Sequence, residues 1–444
     1  MIDRPQLPRI LGDGLILRWA TPEDADELAA FNVRIHSDDP NEPETFLDYW
    51  THDLLSGNHP TTKASDFTLV VDEKEGGKIV SSVNLIGQTW TYDGVPFSVG
   101  RPELVGTDEA YRRRGLVRAQ FAVIHALSAA KGHMVQGITG IPWYYRQFGY
   151  EMTVNLDGSR VYPLDLHGKL TPAEADEEAY RLRLATAQDI PLLTALYQTM
   201  CASSLLARQR DERLWRYEMV EAHRESAYAR YFHVVETGEG QPVAYVEYYN
   251  WKRQLYVREV GVAPGHSWRA VGLFLLRHLA REAIRRSAEM EKPMRAIVFR
   301  FGDSHPIYDA LERELTIRRP PYCWYMRVAD LPGFLRHITP VLERRLAESI
   351  MAGHTGTLKI NLYRQRFALR FAAGKLAEIG DYAAKSVEDG DAAFPEWTFL
   401  HLLFGHRSLA ELRHMFVDCW ANEEATVLLP ILFPKRPSHL IELG

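Results

Sequence analysis

Three consecutive arginines followed by a glycine form the segment of this chain best suited to bind an anion. The segment reads Arg112-Arg-Arg-Gly-Leu, follows the apolar stretch Val105-Gly-Thr, and opens a helical pattern with apolar residues on one face. Free amides at a helix N-terminus, a glycine and local positive charge form a cradle that suits the many acceptor oxygens of a pyrophosphate. An arginine run alone is more often a solvated surface, so the surrounding elements must decide.

A tyrosine-rich motif follows, with Tyr145 lying 30 residues after Gly115. It reads Tyr144-Tyr-Arg-Gln-Phe-Gly-Tyr and predicts a short helix that ends at Gly149, a left-handed C-cap, before another strand. Each of its tyrosines is either a core or wall residue, the interpretation we favour for Tyr144 and Tyr150, or a group that meets a ligand.

An internal repeat indicates which elements hold these motifs. Residues 17–28 and 182–193 agree at six of twelve positions. Each copy predicts a short strand that turns into a helix, with a threonine as N-cap and an aspartate three residues later. The matched pairs include Arg18 with Arg183, Thr21 with Thr186, and Asp24 with Asp189.

The arginine turn also has a counterpart in the second copy, Arg269-Ala-Val-Gly-Leu, which opens a helix after a strand. Two homologous α/β domains, residues 1–165 and 175–330, are the simplest explanation of the two matches. The second turn lacks two of the arginines, and a phenylalanine there would block a pyrophosphate. The residues that replace Arg113, Arg114 and Val117 are Ala270, Val271 and Phe274.

The last part of the chain, residues 335–444, resembles neither repeat. Alternating apolar and polar residues over 357–362 and 367–371 predict a hairpin. A helical segment is expected near Ser408–Trp420, and the apolar run Thr426–Phe433 predicts a strand.

The strand, basic glycine turn and helix resemble the acetyl-CoA signature of the GNAT superfamily of N-acetyltransferases, Arg/Gln-x-x-Gly-x-Gly/Ala. Arg112, Gly115 and Val117 occupy the three defined positions, with valine in place of a small residue. Two such repeats followed by an α+β unit containing Phe394-Pro-Glu-Trp-Thr-Phe-Leu resemble the Eis (enhanced intracellular survival) acetyltransferases over essentially the whole chain. The resemblance implies a mixed α/β fold, with tandem GNAT domains followed by a sterol-carrier-protein-like domain.

The resemblance also implies roles for residues of both motifs. Tyr145 would be the general acid that protonates the coenzyme A thiolate, and the terminal carboxylate, here that of Gly444, would be the general base. A phenol with a pKa near 10 is protonated at neutral pH, as the first role requires. The residues implied to contact acetyl-CoA are Val105, Gly106, Thr107, Arg113, Arg114, Gly115, Leu116, Val117, Arg118 and Ile141.

The function expected from this resemblance is acetyl transfer from acetyl-CoA to a primary amine of an aminoglycoside, a polyamine or a lysine-like acceptor. Such an amine must first lose a proton, because with a pKa near 10 it is mostly ammonium. Acidic residues such as Asp24, Asp26 or Asp38 could attract a cationic acceptor. The alternative is a non-catalytic protein that senses acyl-CoA or binds a lipid in its C-terminal domain.

Composition excludes several other classes. The chain has 444 residues, 46% of them hydrophobic and 25% charged, which is the balance of a folded protein. Its 58 acidic and 52 basic residues give a net charge of −6, so no nucleic-acid partner is expected. Three scattered cysteines and histidines such as His401 and His406 show no metal-site spacing, so we expect no metal.

The sequence shows neither the apolar core of a signal peptide nor a run of 18 apolar residues, which predicts a cytoplasmic protein with no membrane partner. The resemblance implies a homo-oligomer, a hexamer in the family, with one acetyl-CoA bound by each chain.

Overall fold

The structure is a computed structural model that describes residues 4–169, 179–384, 386 and 389–441. We call the first group of elements the first unit. Its strands are β1 (Arg9–Gly12), β2 (Leu15–Trp19), β3 (Phe67–Asp72), β4 (Lys78–Tyr92), β5 (Val95–Thr107), β6 (Val135–Ile138), β7 (Glu151–Leu156) and β8 (Ser159–Pro163), and its helices are α1 (Ala25–His36), α2 (Phe46–Leu55) and α3 (Leu116–Ala130).

The second and third units follow in chain order. The second unit has strands β9 (Tyr180–Leu184), β10 (Leu206–Arg208), β11 (Phe232–Thr237), β12 (Pro242–Trp251), β13 (Gln254–Val262), β14 (Ala296–Phe299), β15 (Ile317–Arg319) and β16 (Tyr322–Val328), and helices α4 (Ile190–Cys201), α5 (Glu212–Arg216), α6 (Trp268–Ser287) and α7 (Pro306–Ala310). The third has helices α8 (Leu331–His337), α9 (Thr339–Ala347), α10 (Phe399–Leu403), α11 (Leu409–Met415) and α12 (Glu423–Leu432), and strands β17 (Gly356–Asn361), β18 (Arg366–Ala372), β19 (Lys375–Asp381), β20 (Ala392–Ala393) and β21 (Trp420–Ala421).

The first two units form mixed sheets of the same strand order and exchange one strand. The first sheet runs β1-β2-β3-β4-β5-β6-β16-β7, with β10 beside β4, and the second runs β9-β11-β12-β13-β14-β8-β15. In both sheets the corresponding pair, β5 with β6 and β13 with β14, is parallel. Strand β8 follows β7 along the chain but lies in the second sheet, and β16 follows β15 but lies in the first. The two sheets therefore interlock across the predicted domain boundary.

The repeated sequence builds the same corner in both units. The Arg18 guanidinium donates to both carboxylate oxygens of Asp24 at 2.8 and 2.6 Å, and Asp24 also accepts from the amide of Thr21. Arg183 and Asp189 repeat the fork at 2.9 and 2.8 Å. The predicted strand-to-helix turn is confirmed, and the bidentate ion pair explains why arginine and aspartate recur at these positions.

The third unit confirms one expectation and overturns another. Strands β17 and β18 form the predicted antiparallel hairpin. The segment expected to be a strand, Thr426–Phe433, is instead mostly helix α12, which Asn422 caps by accepting from the amide of Ala425. Its apolar residues occur at helical spacing and enter the core with Leu428, Leu429 and Leu432 buried, and Pro430 lies within the helix. The helix expected near residue 408 ends at Met415, earlier than predicted.

In the described part of the chain, no helix is long and apolar enough to span a bilayer. Nor do those residues include a group of three or more histidine, cysteine, aspartate or glutamate side chains placed to hold a metal ion.

Candidate functional site

The first sheet opens between strands β5 and β6. These parallel strands are paired only at Val99 with Val135 and Gly100 with Gln136, although β5 continues to Thr107. The backbone beyond Gly100 is therefore unpaired with β6, and an extended ligand could add there as a strand. The predicted binding stretch at residues 105–107 lies along this opening.

The strand changes direction just before that stretch. The pairing of β4 with β5 shifts register between Ser82 and Asn84, and Leu104 has a positive φ of 49°, which marks a bulge. Gly106 follows where helix α1 packs against the strand. A Cβ at Gly106 would lie 3.0 Å from Ile35 and 3.1 Å from Phe31, so glycine is required here by helix packing.

The arginine turn adopts the backbone of an anion cradle. Arg113 and Gly115 both have left-handed φ angles, 64° and 75°, immediately before helix α3. Gly115 is the N-cap and has no side chain to cap the helix, and the first intrahelical bond is donated by Ala119 to the Gly115 carbonyl. The amides of Leu116, Val117 and Arg118 therefore have no partner within the helix and are available to an anion.

The arginine side chains around this turn are exposed but differ in their contacts. Arg112 lies 3.6 Å from Glu109, and the Arg114 guanidinium lies 5.0 Å from the centre of the Tyr111 ring. Arg118 donates to the side-chain carbonyl of Gln147 at 2.9 Å. This hydrogen bond ties the start of α3 to the tyrosine motif, so the two motifs predicted from the sequence form one site.

Tyr145 lies in a short 3-10 helix, Tyr144–Phe148, that ends at Gly149 with a left-handed φ of 85°, as predicted. The side chain is only 4% exposed and lies against Phe121 of helix α3. Gly140 approaches it closely, since a Cβ at that glycine would lie 3.4 Å from the Tyr145 ring. The ring is therefore held in one position between α3 and the loop that follows β6.

Burial is the main reason that the pKa of Tyr145 is raised well above its ordinary value, with the Glu103 carboxylate as a further cause. Glu103 lies on β5 at the bulge and pairs with the buried guanidinium of Arg101 at 2.6 Å. Sequence reasoning missed this carboxylate, because its strand position carries no motif. A raised pKa keeps the Tyr145 hydroxyl protonated at neutral pH.

The exchanged strand β16 completes the site. Tyr325 donates to the carbonyl of Ile141 and Tyr322 to the carbonyl of Gly140, both at 3.1 Å. The Tyr325 ring also lies 5.4 Å from that of Tyr145. Ile141 itself is 60% exposed beside the tyrosine motif. Residues from the end of the second unit thus position the loop of the first, a contribution that only the strand exchange reveals.

The second unit also has a partly unpaired parallel strand pair, but a side chain caps the helix that follows it. Strands β13 and β14 are paired only from Gln254 to Val257, although β13 continues to Val262. At the start of helix α6, the Ser267 hydroxyl accepts from the amide of Ala270, so the helix caps itself. Phe274 does not block the turn as expected, because its ring is buried in the core of this unit.

A cavity of about 740 Å³, the inter-unit cavity, lies between the first two units. Phe46 and Tyr322 line it from the side of the first sheet, and Tyr249, Trp251 and Arg258 from the second unit. Tyr322 also donates to the carbonyl of Gly140, so a single side chain separates this cavity from the loop that holds Tyr145.

The chain's last described residue, Ile441, lines a smaller cavity with Arg258 and Arg300, which also line the inter-unit cavity. The predicted general base, the carboxylate of Gly444, lies outside the described residues. Of the acidic residues proposed to attract a cation, Asp24 is paired with Arg18 and Asp38 with Lys252.

Comparison with known protein families identifies the domain that contains the candidate site. Residues 29–153, which include the opened strand, the arginine turn and Tyr145, match the family model of the acetyltransferase (GNAT) domain. No curated protein gives a significant match to the sequence. The chain therefore carries a GNAT acetyltransferase domain, and the enzyme class that this domain defines is N-acetyltransferase.

Solved structures extend the likeness to the whole chain. A probable N-acyltransferase from Enterococcus faecalis has a TM-score of 0.68 at 12% identity, covering 96% of this chain and 98% of its own. Eis1 from Mycobacterium abscessus has a TM-score of 0.58 at 15% identity, covering 96% and 99%. N-myristoyltransferase from Saccharomyces cerevisiae with bound myristoyl-CoA has a TM-score of 0.52 at 12% identity, covering 73% and 85%. The Eis-like fold predicted from the sequence is thus confirmed.

Proposed function

We propose that this protein transfers an acetyl group from acetyl-CoA to the nitrogen of a primary amine at the site in its first unit. The observation that carries the proposal is the meeting of three features there. An unpaired strand edge, an uncapped helix start with exposed arginines, and a buried, protonated tyrosine lie within one connected set of contacts.

The chain supplies the groups needed to hold the cosubstrate. The backbone of Val105–Thr107 could pair with the amides of the pantetheine arm, as one strand pairs with another. The amides of 116–118 and the side chains of Arg113 and Arg114 would receive the pyrophosphate. Ile141, exposed beside Tyr145, offers apolar surface at the far end of the arm.

The chemistry follows from the protonated tyrosine. The amine nitrogen attacks the thioester carbonyl carbon, a C–N bond forms, and the C–S bond breaks as the thiolate leaves. Tyr145 gives its proton to the sulfur, and the proton lost by the amine restores the balance through a base. Because a thiol has a pKa of about 8.5, transfer from a phenol of raised pKa is uphill unless the site stabilises the phenolate.

We assign the base to the carboxylate of Gly444. Three extended residues span about 10 Å, and Ile441, which precedes them, lines a cavity that shares Arg258 and Arg300 with the inter-unit cavity. Glu103 is a second carboxylate close to the tyrosine, but it is held by Arg101. Deleting residues 442–444 is expected to lower kcat at least tenfold. Glu103→Gln leaves the chain end intact, so kcat should be kept in this variant if Gly444 is the base and lost if Glu103 is.

The deciding experiment is a thiol-release assay with acetyl-CoA, a panel of primary amines, and Tyr145→Phe as control. Turnover with at least one amine, lost in the variant, supports the proposal. Tight acetyl-CoA binding without turnover of any amine would instead favour the non-catalytic sensing protein. Substituting propionyl- or myristoyl-CoA in the same assay tests the preference for acetyl. The hexameric state, the sterol-carrier likeness of the third unit and the cytoplasmic location stay predictions.

A further inference from the structure

The walls of the inter-unit cavity carry more positive than negative charge. Two carboxylates, Asp157 and Glu225, face the cavity together with a larger number of guanidinium groups. The arginines that line it are Arg224, Arg258, Arg300 and Arg319. An aminoglycoside or a polyamine, which carries several ammonium groups, would be repelled by such a wall, so the cavity suits a different kind of acceptor.

Two of these arginines are paired with carboxylates, Arg258 with the buried Glu247 and Arg300 with Asp157, whereas Arg319 has no carboxylate partner among the described residues. Arg319 donates to a neutral group, the side-chain carbonyl of Gln254, at 3.3 Å. Arg300 contacts Asp157 and also donates to the Tyr249 hydroxyl at 2.9 Å. A guanidinium group offers five N–H donors in a fixed fork, so the contact with Gln254 does not exhaust the donors of Arg319.

A buried arginine stands directly behind the wall. Arg230 is 3% exposed, and none of its three guanidinium nitrogens has a hydrogen-bond partner among the described residues. Its neighbours in sequence, Ala229 and Tyr231, both line the cavity. Burial, with repulsion from Arg258 as a further cause, lowers the pKa of Arg230 to about 10, so it stays cationic at neutral pH. The carboxylates of Glu247 and Glu218 offset part of its charge, but no described carboxylate is hydrogen-bonded to it, so Arg230 adds to the positive potential behind the cavity wall.

Aromatic rings form much of the remaining wall. Tyr249 and Tyr256 stack with their ring centres 5.4 Å apart, and the rings of Trp251 and Phe46 meet edge to face at 5.6 Å. All four rings line the cavity. Aromatic walls with fixed cations favour a flat ligand that carries negative charge.

We infer that the inter-unit cavity binds an anionic group and that the amine acceptor is an aromatic compound carrying a carboxylate or phosphate. The part of this inference that concerns the acceptor rests on the proposed function. The connection between the two sites is Tyr322, which lines the cavity and donates to the loop that touches Tyr145.

Three amines of one skeleton test the inference in the acetyl transfer assay. They are 2-phenylethylamine, 4-(2-aminoethyl)benzoate, and 4-(2-aminoethyl)-N,N,N-trimethylanilinium, which share the reactive amine and differ in the charge of the far end. We expect kcat/KM for the benzoate to exceed that of the uncharged amine by about tenfold or more, the effect of one charge-assisted hydrogen bond. Equal values, or a preference for the anilinium, would overturn the inference while leaving the proposed function intact.

Binding without chemistry gives an independent readout. Calorimetry of the full chain with 4-methylbenzoate, and with neutral 4-methylbenzamide as control, measures the anion preference directly. Arg319→Gln and Arg230→Met should each weaken benzoate binding severalfold, and the melting temperature of each variant is measured to show that the chain is folded. Arg370→Gln, an exposed arginine of β18 paired with Glu378, is the matched control and should change nothing.

Repeating the titration with phenyl phosphate tests whether the cavity prefers a phosphate to a carboxylate. Benzoate binding that is lost in the two arginine variants supports the cavity even if no amine is ever acetylated, in which case the proposed function fails alone. No preference for benzoate over the benzamide, or equal affinity in the wild type and both variants, contradicts the inference.

Discussion

The first two units share a strand order but differ at the helix that follows the opened strand. In the first unit helix α3 begins at a glycine that cannot cap it, whereas in the second unit helix α6 begins at Ser267, whose hydroxyl accepts an amide of its own first turn. A side chain therefore satisfies one of the first amides of α6, whereas no described side chain caps the start of α3. This difference is why we place the anion site in the first unit only.

The tyrosine position shows the same contrast. Tyr145 is buried beside an open strand edge, while Tyr308 in the second unit donates to the carbonyl of Phe299 at 2.8 Å and accepts from the amide of Phe301 at 2.9 Å. The Tyr308 hydroxyl is therefore held by two backbone hydrogen bonds, which is a structural role. Tyr145, by contrast, is the tyrosine to which we assign a chemical role.

The largest effect is expected for Tyr145→Phe. Removing the proton donor should lower kcat about a hundredfold or more, the usual contribution of a general acid, with acetyl-CoA affinity unchanged. Tyr308→Phe is the matched change in the second unit and should cost about 1 kcal/mol of folding free energy without lowering kcat. Steady-state kinetics and denaturant unfolding of both variants measure the two effects, and equal losses of kcat would contradict the contrast.

The arginine turn should show a smaller effect, on binding. The double variant Arg113→Gln and Arg114→Gln is expected to weaken acetyl-CoA binding about tenfold and to reduce its salt dependence, because charge-assisted contacts to the pyrophosphate are lost. Arg269→Gln serves as the control, since that arginine is held by Glu314 and should leave the affinity unchanged. Calorimetry at two salt concentrations measures both quantities, and an unaltered Kd in the double variant would remove the arginines from the site.

Helix capping sharpens the comparison further. Ser267→Ala should destabilise the protein by about 1 kcal/mol, the usual value of an N-cap, and leave acetyl-CoA affinity unchanged. Gly115→Ala strains a residue whose φ is 75° and is expected to lower stability by a similar amount while also weakening the cosubstrate. Thermal unfolding with and without acetyl-CoA separates the two variants, because only the glycine variant should lose ligand-induced stabilisation.

The smallest effect is expected at the strand-to-helix turn that the two units share, where Arg183 is paired with Asp189. Arg183 lowers the pKa of Asp189 to about 2, below its unfolded value near 3.9. The ion pair therefore contributes its full stability above about pH 4 and loses it as the pH falls toward 2. Asp189→Asn should cost about 1 kcal/mol or less at pH 7, as expected for a partly exposed pair, and the difference from wild type should shrink on acidification. A difference that is independent of pH would exclude this origin.

Much of the fold and of the candidate site could be predicted from the sequence, because it depends on residues close together in the chain. The arginine turn, the left-handed Gly149 and the repeated corner depend on residues within a few positions of one another. The prediction of a strand at residues 426–433 is wrong because a short apolar run fits both periods, and Asn422 caps a helix that begins three residues earlier. Glu103 and Tyr325 carry no local signal, since the bulge and the strand exchange that place them depend on residues far apart in the chain.

The strand exchange also has a consequence for how the protein is made. Tyr325 fastens a loop whose residue Ile141 precedes it by 184 positions. At a synthesis rate of about 5–20 residues per second, strand β16 emerges roughly 10–40 s after the loop it must complete. The first sheet therefore lacks the strand between β6 and β7 until β16 has been synthesised, and its edges at β6 and β7 are unpaired during that time.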